Sequence, residues 1–369
     1  MRILHTEWSD GMGGQEQRVL SEMVGMAQRG HQVVLVTRVH AKIAAAATAE
    51  GIPVICLPLR RCTDLRSIFK LARYLRRCRF DVVNTHSSID SWIGGIAAKL
   101  AGTPVLVRTR HLNLPLKRSW LNFVHYLPDK IITCGENMRR QLVEECGFEP
   151  EDMVSIPTGI DFETFAPISN ISALLRQELG LAEDAFVVLM VSVIRSVKRH
   201  EVALRAMVLF ISQCPRAQLI LAGDGPMRSD MERLAVELGI TKHVHFLGHR
   251  SDIPELMAAA DVLLLTSRSE GVPQAITQAL GMKMPVVSTN VGGVGELVDN
   301  GLSGLLIPSE DPTAAATALM RIQSDKKWAR RLGEAGRAHV HIQFSLNTML
   351  DKIEMLLVDL LQKKLGKAQ

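Results

Sequence analysis

Short apolar runs alternate with stretches of helical length from the first residue onward. Residues 2–6, 32–37, 53–57, 81–85, 104–108 and 130–133 are apolar runs of strand length, so they predict strands, and the amphipathic stretches between them predict helices. That alternation specifies a parallel α/β sheet. A punctuated stretch follows over residues 156–167, with Pro157, Gly159 and Pro167, and the rhythm restarts at 186–193, 218–222, 243–247, 261–266, 285–288 and 303–307. The pattern predicts two Rossmann-like, doubly wound parallel-sheet domains, over residues 1–160 and 161–343. No strand pattern remains beyond about residue 311. The run 344–361 instead places Leu346, Met349, Ile353, Leu356, Leu357 and Leu360 on one helical face, so residues 344–369 form a terminal helix that needs a surface to pack on.

Composition agrees with two ordinary cores: 369 residues, 47% hydrophobic and 22% charged. No apolar run reaches the roughly 18 residues of a membrane span, and the start MRILHTEWSD has no basic segment followed by an apolar one, so a cytoplasmic protein is expected. The six cysteines, Cys56, Cys62, Cys78, Cys134, Cys146 and Cys214, lack metal-ligand spacing and fit reduced thiols. The net charge of +5 is unevenly spread, because residues 51–130 carry fourteen Lys and Arg against four Asp and Glu. Its densest part, 60–77, reads as a helix with Leu65, Ile68, Phe69, Ala72 and Leu75 on one stripe and cations around the rest. Such a helix is either an ordinary solvated surface or one drawn to anionic lipid or a phosphorylated acceptor.

In open α/β sheets the chemistry sits in loops after the strands. Residues 267–280, directly after one predicted strand, put Glu270, Gly271 and Val272 ahead of a helix whose first turn accommodates Pro273. Free amides and the helix dipole there favour a diphosphate, while Glu270 can accept from sugar hydroxyls and Gln278 can reach a ribose. Taken alone, this is equally an acidic turn capping an ordinary helix. Gly11, Gly13 and Gly14 follow the first strand, but the full dinucleotide spacing is absent, so tight turning is a sufficient reason for them. His86, just past a strand, would by itself more often be a satisfied loop histidine. Arg110 and His111 form a similar strand-end cluster.

Taken jointly, these segments resemble a family-four retaining glycosyltransferase of the GT-B fold, over nearly the whole chain. Glu270-Gly-Val-Pro…Gln278 resembles that family's Glu-x7-Glu motif, followed by a segment similar to Pro285…Gly292-Gly293…Glu296. Gly223-Asp-Gly225-Pro226, the segment 246–262 with Arg250, and Pro157-Thr-Gly-Ile-Asp161…Phe165 match further family signatures. The resemblance implies two Rossmann-like domains facing across a cleft, the first binding acceptor, the second a nucleotide-sugar donor, and a last helix crossing back to the first. It makes Glu270, His86 and Lys198 catalytic, adds Arg195, Gly223, Gly225, Arg250, Gly271, Val272 and Gln278 as donor-binding, and assigns Gly13, Gly14, Arg110 and His111 to the acceptor or cleft. Three positions depart from the pattern: Gln278 replaces the second motif Glu, Lys283 stands where Gly is usual, and Arg195 lies nearer Lys198 than the family's arginine does.

The activity implied is retaining transfer of a hexose-type sugar from a nucleoside diphosphate sugar to a glycan or lipid-linked acceptor in cell-surface polysaccharide or lipopolysaccharide synthesis. No Asp-x-Asp pair is present, so no metal and no cofactor are expected, with Lys198, Arg195 and loop amides stabilising the leaving diphosphate. Expected partners are the donor, the acceptor and anionic membrane at the inner face, and no nucleic acid. The competing readings are an idle nucleotide-sugar-binding protein, in which Gln278 and Lys283 mark decay, and a GT-B epimerase; an oxidoreductase lacks the glycine fingerprint and the acidic residue about 20 positions on.

Overall fold

The computed structural model describes residues 1–112, 116, 120–167 and 172–366. The chain forms two compact units, residues 1–159 with 346–369, and residues 160–345.

The first unit runs β1 (Arg2–Glu7), α1 (Gly14–Gln28), β2 (Gln32–Thr37), α2 (Lys42–Ala49), β3 (Val54–Cys56), α3 (Leu65–Cys78), β4 (Val82–Thr85) and α4 (Ser88–Ala101). It continues with β5 (Val105–Arg110), β6 (Lys130–Thr133), α5 (Glu136–Cys146) and β7 (Met153–Ser155). The strands form one parallel sheet in the order β3-β2-β1-β4-β5-β6-β7. Alternate side chains of a strand point to opposite faces, and here both faces are apolar. Ile3, Val33, Leu35, Val105 and Val107 join one core with Val19, Met23 and Met26 of α1, whereas Leu4, Val36, Val83 and Leu106 join another with Ile68, Leu71 and Leu75 of α3. The near-continuous hydrophobic runs of the sequence follow from this burial on both sides. Only β7 was not foreshadowed, because its three residues follow Glu149, Glu151 and Asp152 and pair only with β6.

The second unit runs α6 (Ser172–Glu178), β8 (Val187–Val191), α7 (His200–Gln213), β9 (Gln218–Ala222), α8 (Arg228–Glu237), β10 (Val244–Gly248), α9 (Ile253–Ala259) and β11 (Val262–Leu265). It continues with α10 (Gln274–Gly281), β12 (Val286–Thr289), β13 (Leu305–Ile307), α11 (Pro312–Ser324) and α12 (Lys326–Gln343). Its parallel sheet has the order β10-β9-β8-β11-β12-β13 around one contiguous core. Phe344, placed at the head of the terminal helix by the sequence pattern, is buried in this core, and its carbonyl accepts from Ile160 N at 2.9 Å.

The last helix, α13 (Leu346–Gly366), belongs to the first unit. Met349, Leu350, Ile353, Leu357 and Leu360 are buried in the core formed with α1, and Gly25 of α1 lets Leu350 approach so closely that a Cβ there would lie 2.3 Å from Leu350 Cδ1. Arg29 pairs with Asp351 at 2.7 Å and Glu354 at 2.8 Å. α3 differs from the expected stripe. Asp64 caps it by accepting from Ser67 N, and the buried row is Ile68, Leu71, Ala72 and Leu75, the i, i+3, i+4, i+7 spacing of one face. Leu65 and Phe69 fall outside that row and are 61% and 63% exposed.

Candidate active site

In the second unit, the loop after β8 carries Arg195 and Lys198, and the loop after β11 carries Glu270, Gly271 and Val272. Their backbones are joined where Arg268 N donates to Val197 O at 2.8 Å, and Thr266 Oγ1 donates to Arg199 O at 2.9 Å. Lys198 Nζ then meets both oxygens of Glu270, at 2.6 and 2.8 Å, and Ser267 Oγ donates to the same carboxylate. Glu270 is buried and Lys198 retains 24% side-chain exposure, so the ammonium keeps an open side while its charge is balanced. Arg195 is exposed on the short turn before Lys198, whose N–H donates to the Arg195 carbonyl at 2.9 Å.

Both loops are braced by glycines at which no side chain fits. A Cβ on Gly292, whose φ is +57°, would lie 1.8 Å from Glu270 O, and Gly293 N donates to Gly271 O at 2.8 Å. A Cβ on Gly223 or Gly225 would lie 2.0 Å from Ser192 O or 2.4 Å from Ile194 O. Gly223 and Gly225 thus hold the backbone that leads to Lys198. Pro273 is the N-cap of α10 rather than a residue of its first turn, which leaves the amides of Gly271 and Val272 just ahead of the helix. Gln278 is half-buried one turn into α10. Arg250 is engaged locally, donating to Asp252 from Nε at 2.7 Å and from Nη2. Lys283 lies past the C-terminal end of α10, the end away from Glu270, exposed and at φ +59°. It therefore adds no side chain to this site, although it stands where the family pattern has Gly.

In the first unit the predicted residues gather at the carboxyl ends of β1, β4 and β5. Gly13 is the N-cap of α1, with its N–H donating to Glu16 Oε2 at 2.6 Å, and Gly14 opens the helix. The next residue, Gln15, donates to Glu7 Oε2 and to Ser87 Oγ, both at 2.7 Å. His86 is buried; its N–H donates to Asp90 Oδ2 at 2.9 Å, while its ring nitrogens meet His5 at 2.9 Å and His111 at 3.1 Å. Arg110 ends β5, its Nη2 donating to the Leu112 carbonyl at 3.4 Å. Burial holds His86 and His111 well below the usual histidine range, reinforced by neighbouring rings and arginines, so both are neutral. Burial and the nearby Asp90 carboxylate push Glu7 up to about 7, although it accepts from Trp8 N, Ser9 N, Gln15 and Ser87.

The family model described as "Glycosyl transferases group 1" matches residues 172–339, and "Glycosyltransferase Family 4" matches residues 12–164. A D-inositol 3-phosphate glycosyltransferase of Thermomonospora curvata is 30% identical over 292 residues, 70% of this chain and 67% of that protein. The chain belongs to glycosyltransferase family 4. Another relative is the UDP-Gal:alpha-D-GlcNAc-diphosphoundecaprenol alpha-1,3-galactosyltransferase of Escherichia coli, 29% identical over 85% of this chain and 84% of its own length. Among solved structures, Alr3699/HepE of Anabaena in complex with UDP-glucose superposes with a TM-score of 0.87 at 24% identity, over 97% of this chain and 100% of that one, which shows the GT-B fold. As a family-4 enzyme the chain is a nucleotide-sugar-dependent glycosyltransferase, and the idle-binding and epimerase readings are not supported. Among the described residues, no helix is long and apolar enough to cross a membrane.

Several side chains packed against the candidate residues were not singled out by the sequence pattern. Ser267, which donates to Glu270, is a small polar residue directly after an apolar strand, and only proximity gives it a role. Asp90 was legible in principle, since an acid four residues past His86 in the first turn of a helix is a capping signal. His5 and Cys134 gave none, being a single polar residue in an apolar strand and a scattered thiol.

Proposed function

We propose that this enzyme transfers a hexose-type sugar, with retention of anomeric configuration, from a UDP-sugar to a lipid-linked glycan in cell-surface polysaccharide synthesis. The observation that carries the proposal is the Lys198–Glu270 pair. When the sugar–phosphate bond breaks, negative charge grows on the diphosphate, and a cation beside it stabilises the transition state more than the bound donor. An incoming diphosphate competes for Lys198, which releases carboxylate oxygens of Glu270 to orient sugar hydroxyls. Arg195 and the amides of Gly271 and Val272 complete the charge stabilisation in place of a metal. Gly223, Gly225, Arg250 and Gln278 serve the nucleotide, and His86 serves the sugar. Gly13, Gly14, Arg110 and His111 belong to the acceptor side. Retention is the mode typical of the family, with the leaving phosphate taking the acceptor's proton. The UDP-glucose complex of the Anabaena protein and the diphosphoundecaprenol-linked substrate of the Escherichia coli relative support the donor and acceptor classes.

We propose in addition that the enzyme works on the cytoplasmic membrane surface through α3. Arg66, Lys70, Arg73, Arg76 and Arg77 are all exposed on this helix around Leu65 and Phe69, an arrangement suited to anionic headgroups with two apolar side chains entering the interface.

The direct test is turnover of Lys198→Ala with a UDP-sugar and a diphospholipid-linked acceptor. It should lower kcat by on the order of a hundredfold, about 3 kcal/mol, in a folded protein, and a chelator should leave the wild-type rate unchanged. Near-wild-type turnover of the variant would remove Lys198 from the mechanism, and metal dependence would remove the cation's claim to replace a metal.

A further inference from the structure

His5 in β1, His86 after β4, His111 after β5 and Cys134 after β6 stand on four strands that are successive neighbours in the first sheet. Their polar atoms form one row. His5 Nδ1 meets His86 Nε2 at 2.9 Å with the two ring planes within 7° and their centroids 5.2 Å apart, His86 Nδ1 meets His111 Nε2 at 3.1 Å, and His111 Nδ1 meets Cys134 Sγ at 3.5 Å. The thiol donates to the Arg110 carbonyl at 3.0 Å.

A neutral imidazole has one N–H, so every contact in the row needs a donor on one side and a lone pair on the other. The carbonyl of Arg110 can only accept, which directs the thiol proton toward it and leaves the sulfur as an acceptor. His111 must then carry its proton on Nδ1, and its Nε2 accepts from His86 Nδ1–H. His86 Nε2 in turn accepts from His5 Nδ1–H. The far end agrees. His5 Nε2 is buried with no partner among the described residues; the opposite polarity would put a proton there, and a buried N–H without an acceptor is the rarer and costlier defect. Burial keeps all three rings uncharged, with His5 pushed down to about 3.

We propose that Cys134, His111 and His5 are positioning residues for His86: the thiol's donation to Arg110 fixes one direction along the row and holds the His86 ring as the neutral Nδ1–H tautomer, immobilised from both sides. The functional part rests on the reading that His86 serves the donor sugar. Because both its ring nitrogens are committed, His86 meets the sugar in an orientation that the row decides rather than the sugar.

The tautomers are read by long-range nitrogen–proton NMR on protein labelled at histidine, without substrate. All three rings should show Nδ1–H. Cys134→Ala should shift His111 and His86 into mixed tautomers and lower kcat about tenfold with the donor KM within about twofold. Cys134→Ser, whose hydroxyl donates to Arg110 and accepts from His111, should restore both. An Nε2–H form of His86 in the wild type, or unchanged tautomers in Cys134→Ala, would overturn the lock. Altered tautomers with unchanged kcat would overturn the positioning role. The spectra decide the lock even for a protein that turns over no donor, so failure of the functional reading is seen separately.

Discussion

At the scale of the residue, Lys283 and Glu7 each occupy a position at odds with their chemistry. Lys283 holds φ +59°, a left-handed conformation that costs a non-glycine residue roughly 1–2 kcal/mol, and its side chain is exposed. Lys283→Gly should therefore stabilise the second unit by about 1 kcal/mol in denaturant unfolding; a less stable variant would mean that the lysine side chain contributes something its exposure does not suggest. Glu7 is fully buried, and its carboxyl is raised to about 7 by burial first and Asp90 second. A raised carboxyl means that the native state binds a proton which the unfolded state, titrating near 4.5, has released. Its favourable contribution is complete below 4.5 and fades as pH climbs through 7. Glu7→Gln should remove that slope, so the stability of the variant relative to wild type should rise between pH 5 and 7.5. Asp90, pushed up to about 6 chiefly by burial, stays in both proteins; without the like charge of Glu7 beside it, its carboxyl ionises more readily in the variant, which acts in the same direction. Parallel stability curves would place the titration elsewhere. Lys198 and Glu270 were legible as separate motif residues, but their 2.6 Å contact was not, since 72 residues separate them.

At the scale of the element, α13 is the plainest case of a helix whose place is set by packing. Its apolar face was readable from spacing, and Met349, Ile353, Leu357 and Leu360 are indeed buried. What fits it to the first unit is a small residue, Gly25, and two acids that meet Arg29. Ile353 is fully buried there, so Ile353→Ala should destabilise the first unit by about 3 kcal/mol in urea unfolding, and a loss under about 1 kcal/mol would mean that α13 is only loosely attached. The α3 stripe was read imperfectly for a related reason. Periodicity alone admits two neighbouring stripes on one helix, and the body of the sheet selected the one through Leu71, leaving Phe69 outside.

At the scale of the whole molecule, the uneven charge gives the last prediction. Fourteen of the 43 Lys and Arg lie in residues 51–130, where only four acids offset them, and the exposed cations of α3 surround Leu65 and Phe69. Each cation near an anionic surface contributes about 1 kcal/mol, so the protein should sediment with phosphatidylglycerol vesicles and not with phosphatidylcholine ones, and less in salt. Leu65→Ser with Phe69→Ser should weaken this without unfolding the protein, because both side chains are exposed; equal sedimentation with both lipids would refute the membrane surface. The sequence by itself determined the two parallel sheets, nearly every strand, and the motif residues of family 4, because burial on both faces and loop chemistry after strands are written in short contiguous segments. Only the tertiary structure decided that Lys198 binds Glu270, that Gly223 and Gly292 brace their loops, and that His5, His86, His111 and Cys134 form one row. Those contacts join residues tens of positions apart, and parallel strands bring such residues together through crossovers whose register no local pattern encodes.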